Sequence, residues 1–171
     1  MSWMNKTASH ILCFVGAILF THCVALTAIA QMGTQKEGLR GVKSLSVSVQ
    51  SLDRTVITDE HLQVQIELRL RQAGLSVSDC KVGTVCLPQV HVKLIAIAMS
   101  ERVMYCLIRV EFNTLVAPIG QPTHRLLATV WLNEKGMVAL KNDYGPVTDE
   151  INQLIDEFVN DYLAANPKSQ P

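Results

Sequence analysis

From Thr148 to Ala165 the chain carries its apolar residues on a single stripe. Ile151, Leu154, Ile155, Phe158, Val159, Tyr162 and Leu163 recur at three- and four-residue steps. That spacing predicts an α-helix with one buried face. Asp149, Glu150, Asp156, Glu157 and Asp161 fill the remainder, so the opposite face is acidic and reads as solvated. Thr148 is placed to cap the helix, Asp149 and Glu150 suit its first turn, and Asn166-Pro167 ends it. A helix of this kind draws its stability from packing rather than propensity, so the rest of the chain must supply an apolar layer.

Three strand-period runs supply it. Val90 to Met99 is amphipathic at first and apolar on both faces later. After a turn at Ser100-Glu101-Arg102, Met104 to Val116 puts Met104, Cys106, Ile108, Val110 and Phe112 on one side. So short a linkage predicts an antiparallel hairpin. Pro118, Gly120 and Pro122 mark an exposed connection, and Arg125 to Leu132 returns as a strand. In strict alternation Trp131 shares a face with Leu127 and Thr129, opposite Leu126, Ala128, Val130 and Leu132. Asn133-Glu134-Lys135-Gly136 reads as a turn, with Met137 to Leu140 as a short edge strand open to pairing with another chain.

Upstream, alternation from Leu45 to Val49 within Val42–Leu52 reads as a strand, with Ser44, Ser46 and Ser48 along a solvated face. Residues 59–73 have both periods. Leu62, Val64, Ile66, Leu68 and Leu70 alternate as in a strand, yet Thr58 or Asp59 can cap a helix and Gly74 can end it. Leu, Gln, Glu and Arg are good helix formers, and the ends decide for a helix. It would bury Leu62, Ile66, Leu70 and Ala73, with Val64 and Leu68 covered by a second element. Leu75 to Val77 adds a short strand, and Asp79 to Gln89 a loop. The order is β-α-(β)-β-β-β-α. This is an α/β (α+β) two-layer sandwich, a mainly antiparallel sheet of four or five strands with two helices on one face.

The first thirty residues stand apart. Ile11 to Ala30 holds no Asp, Glu, Lys or Arg, Lys6 precedes it, and Ala28-Ile29-Ala30 before Gln31 is a small-x-small ending. A basic start, apolar middle and such an ending describe an export signal cleaved between Ala30 and Gln31. The competing reading is a retained anchor, since twenty apolar residues can span a bilayer. Cys13 and Cys23 lack lipobox surroundings. Either way the remainder works outside the cytoplasm, periplasmic or secreted, and meets a membrane only if the segment is retained. Residues 31–40 read as a flexible lead-in, 41–167 as one domain and 168–171 as a tail.

Removal of the first 30 of the 171 residues leaves 141, enough for one core. It takes away only one base, Lys6, from fifteen basic and fifteen acidic side chains. With no basic run or stripe left, nucleic acid is not the expected partner. Cys80 and Cys86, with five residues between them, can bridge in an oxidising compartment; the other reading leaves them as thiols. Cys106 reads as a small buried hydrophobe. No Gly-x-Ser-x-Gly elbow, phosphate-binding glycine loop or His-Glu-x-x-His pair occurs, and His61, His91 and His124 are scattered. No catalytic, metal or cofactor-binding residue can be assigned. The leading expectation is a non-enzymatic binding or assembly module for an unidentified envelope protein or component. The runner-up is a hydrolase built from distant residues, such as His91 with an acid.

Gly41-Val42-Lys43, Ile66 to Leu75 and Asp156 to Pro167 resemble a family of small exported bacterial proteins whose function is unassigned. The resemblance spans most of 41–167 and implies a helix at 59–73. The element order is also similar to the lipopolysaccharide-assembly lipoprotein fold and to the N-terminal domain of the Tol-system propeller protein, although the lipoprotein family's lipobox is missing here.

Overall fold

A computed structural model describes residues 35–51, 58–80 and 86–167. The cleavage pair Ala30 and Gln31, Cys13 and Cys23 lie outside these. Strand β1 (Ser46–Ser51) is followed by helix α1 (Asp59–Gln72), strands β2 (Gln89–Ala98), β3 (Val103–Val116) and β4 (Leu126–Leu140), and helix α2 (Gly145–Ala165). The sheet order is β1-β2-β3-β4. β1 pairs with β2 in parallel, as the crossover through α1 requires, and the other pairs are antiparallel. Leu45 and Val77 add a parallel bridge beside β1. The fold is the expected α+β two-layer arrangement.

The core lies between the sheet and the helices. Val90 and Val92 of β2, Cys106, Ile108, Val110 and Phe112 of β3, and Trp131 of β4 are buried against Leu62, Ile66 and Leu70 of α1 and Ile151, Leu154, Ile155 and Phe158 of α2. Phe158 is the aromatic centre. Its ring lies 5.6 Å from Phe112 and meets Trp131 edge-on at 5.2 Å, the geometry that aromatic quadrupoles favour. Cys106 is 1 % exposed.

α1 is built by the signals its ends advertise. The Thr58 side chain accepts from the His61 backbone N–H, Asp59 and Glu60 occupy the first turn, and Gly74 follows at φ +86°. Val64 and Leu68, expected to meet a second element, are instead exposed. α1 has one buried stripe, and the opposite side of that helix carries no covering layer among the described residues. α2 starts earlier than its acidic residues suggest. Gly145 and Pro146 open it, Pro146 fitting a first-turn position where no N–H bond is needed. Thr148 is therefore inside the helix, its hydroxyl donating to the Tyr144 carbonyl rather than capping.

Three further expectations change. The lead-in read at 31–40 is anchored from Lys36 onward. Leu39 is fully buried, Asn166 donates to its carbonyl at 2.8 Å, and Tyr162 donates to the Val42 carbonyl at 2.6 Å. One apolar side chain among polar ones was enough to dock the segment. The turn at 133–136 does not form, because β4 runs unbroken to Leu140. Its polar residues are cross-strand or interlayer partners: Arg109 donates to Glu134, Asn133 donates to Glu157, and Lys135 pairs with Glu150. Finally, Phe112 faces Trp131 while Asn113 faces Thr129, so Val130 is an extra, bulged residue. The bulge reverses the alternation. Trp131 turns into the core, and Leu127, expected on its face, stays 62 % exposed.

Candidate binding surface

The helices cover one side of the sheet. The register defines what stands on the other, because paired residues share a face and every second residue joins them. Near the β2–β3 turn the pairs are Ile95–Leu107–Gly136 and Ile97–Tyr105–Val138, and Val103–Leu140 follows. No charge or amide interrupts these rows. Ile97 is 56 % exposed, Val138 61 % and Leu140 51 %, with Tyr105 at 36 %. Met99, bonded through its N–H to the Val103 carbonyl, extends the apolar area towards the turn. This is a contiguous tile across three strands rather than scattered apolar side chains.

The next rows along the same face are polar. Gln50, Lys93, Arg109 and Glu134 stand across all four strands, and Ser48, His91, Glu111 and Leu132 follow. The charges there are already coupled. Lys93 Nζ lies 3.3 Å from Glu111 Oε2, Arg109 Nη1 3.6 Å from Glu111 Oε1, and Arg109 Nη2 2.6 Å from Glu134 Oε2. The Glu134 hydrogen bond raises the Arg109 guanidinium above its ordinary value. Two bases, Lys93 and Arg109, and two acids, Glu134 and Glu111 of the following row, balance across the two rows. A sharp border thus separates an apolar half from a paired-charge half.

The residues singled out from sequence do not converge. His61 lies on α1 beside Gln65, His91 on β2, and His124 in the connection before β4. Among the described residues no three His, Cys, Asp or Glu side chains are grouped to hold a metal ion. His91 sits on the polar half, its Nδ1 3.2 Å from Ser48 Oγ. Burial, and then the charge of Lys93, lowers its pKa below the ordinary histidine value, and Glu111 opposes this. Glu111, its cross-strand neighbour, is committed to Lys93 and Arg109.

Cys80 and Cys86 are joined by a disulfide with Cα atoms 5.9 Å apart. The Ser46 hydroxyl donates to the Cys86 carbonyl at 2.5 Å, tying the end of that loop to β1. This removes Ser46 from the solvated serine face that alternation suggested; it is 1 % exposed. The tile itself was missed in the sequence, since it depends on the pairing of three separate strands. The runs Leu94–Met99 and Met137–Leu140, apolar at both parities, were its signal.

A sheet with two helices on one side and its other side uncovered among the described residues is a class of fold, not a function. No family model and no curated protein matches the chain. Among the solved structures similar to it are two lipoproteins. One is lipoprotein GNA1162 from Neisseria meningitidis, with a TM-score of 0.39 and 11% identity over 70% of this chain and 99% of that one. The other is a minor lipoprotein from Acinetobacter baumannii, with a TM-score of 0.26 and 17% identity over 77% of this chain and 99% of that one. Likeness at this level carries no argument about what the chain does.

Proposed function

We propose that this protein is exported to the bacterial envelope or beyond and acts there as a non-enzymatic binding or assembly module, using the open face of its sheet. The apolar tile of Ile97, Tyr105, Val138 and Leu140 carries this reading. Contiguous apolar area left in water is unfavourable at about 25 cal/mol per Å², so a surface of this kind is where a partner gains most. Export is supported by the Ile11–Ala30 segment with its small-x-small ending, and by a disulfide suited to an oxidising compartment. In this reading residues 1–30 are the signal and the domain that remains presents the tile.

The test is a photo-crosslinking residue placed at Ile97 in the cellular protein, with mass spectrometry of its N-terminus. The expected result is a chain beginning at Gln31 and a discrete crosslinked product that Val138→Lys abolishes. An intact chain in the cytosol would overturn the export reading. A discrete product indifferent to Val138→Lys, or none, would overturn the role of the tile.

A further inference from the structure

We propose that the occupant of the open face is a second copy of this chain, packed sheet to sheet about a two-fold axis running along β3. The inference rests on the reading of that face as a docking surface and names its partner. A two-fold along β3 lays β2 of one copy over β4 of the other. Row by row, that sets Ile97 over Val138 and Ile95 over Gly136. At Gly136 the Tyr105 ring of the same chain fills the space of the missing side chain, so Ile95 meets an aromatic surface there. Tyr105 and Leu107 meet their own mates on the axis.

The charged row obeys the same operation. Lys93 of β2 falls over Glu134 of β4, twice per dimer, because they stand at the same level on either side of Arg109. Both reach solvent, at 36 % and 47 % side-chain exposure, while keeping Glu111 and Arg109 as partners within their own chain. Arg109 faces its mate with its charge met by Glu134 and Glu111. A face that is apolar at one end and neutral with opposite charges across the axis at the other is self-complementary, as an isologous interface must be.

Pairing through the free edge of β4 is less favoured. The Val130 bulge interrupts its ladder, and Glu134 and Lys135 place charges along it. Four rows on three strands span about 14 Å by 27 Å, roughly half the ~800 Å² per partner of a standard interface. The dimer is therefore weak and its population follows concentration.

The experiment is sedimentation equilibrium on the protein recovered from the envelope, with Val138→Lys, Lys93→Glu and Glu134→Lys variants checked for folding by circular dichroism. A reversible monomer–dimer equilibrium is expected, weakened about tenfold or more by each variant. Mixing Lys93→Glu with Glu134→Lys should restore it, because each unlike pair then carries opposite charges again. Failure of the mixture to recover would overturn the assignment, as would a dimer insensitive to Val138→Lys. A monomer whose Ile97 crosslinks reach a different envelope protein, or which binds phospholipid vesicles, through Val138 would overturn the second copy yet keep the docking face. A monomer with neither overturns both.

Discussion

The ring of Tyr105 lies across Gly136 on the neighbouring strand, so close that a β-carbon at 136 would fall inside the phenol. The two are diagonal neighbours, Tyr105 pairing with Val138 and Gly136 with Leu107. Glycine inside a strand ordinarily costs about 0.5–1 kcal/mol relative to alanine. Here its missing side chain is the space the aromatic ring occupies. A glycine that reads as a turn signal is thus a packing position in the tile.

The sign of a substitution follows. With Tyr105 present, Gly136→Ala must push the ring away; in a Tyr105→Ala background it gains the ordinary preference for alanine. Chemical denaturation of the four members of this cycle should show a coupling of about 1 kcal/mol, the alanine being less favourable when the ring is present. Additivity would mean that the ring moves aside without loss.

Arg69 and Asp156 join the two helices. Arg69 Nε donates to Asp156 Oδ1 at 2.6 Å and Nη2 reaches Oδ2, a two-point contact. That hydrogen bond lowers the Asp156 pKa below the ordinary aspartate value. Both side chains are well exposed, at 39 % and 49 %, so screening limits the pair to about 0.5–1 kcal/mol. A double-mutant cycle with Arg69→Met and Asp156→Asn should give that coupling at neutral pH. A carboxyl with a depressed folded-state pKa contributes above its unfolded value of about 3.9 and loses the contribution as pH falls through the lower one. The coupling should therefore shrink in acid and in high salt; persistence in both would show that packing, not charge, holds it.

How much of this could be read beforehand depended on whether the signal was local. α1 was legible because Thr58 and Gly74 lie next to the segment they end. The β2–β3 hairpin was legible because its turn is short. Thr148 misled because a proline two residues upstream could start the helix first. The polar run 133–136 misled because its partners, Arg109, Glu150 and Glu157, lie far away in sequence. The Val130 bulge left no local mark, yet it decides which way Trp131 faces. The candidate surface was least legible of all: its apolar and charged halves exist only once three strands are in register.

His91 gives a pH dependence of opposite origin to Asp156. Burial, helped by Lys93 and opposed by Glu111, holds its pKa below the ordinary histidine value, so the unfolded chain takes up the proton first. Stability from this group is present above about pH 6.5 and is lost as pH falls towards the folded-state value. Urea midpoints measured from pH 8 to 5 should drop for the native protein. The drop should be smaller in His91→Gln, which keeps a polar group near Ser48 without the titration. Equal slopes in the two proteins would place the acid sensitivity elsewhere.

The Cys80–Cys86 bridge closes a loop with a sequence separation of six. Chain-entropy estimates for so short a loop give about 2 kcal/mol, less than a long loop would provide. Its folded end is fixed independently, since the Ser46 hydroxyl and N–H hold the carbonyls of Cys86 and Pro88. The bridge should therefore stabilise mainly by restricting the unfolded chain rather than by shaping β1. A Cys80→Ser, Cys86→Ser protein should unfold at lower denaturant, by about 2 kcal/mol, while its far-ultraviolet circular dichroism stays unchanged. The denaturant slope should rise slightly, as a less restricted unfolded chain exposes more surface. If the folded spectrum changed as well, the bridge would be shaping the sheet edge, and Ser46 alone would not suffice to seat the loop.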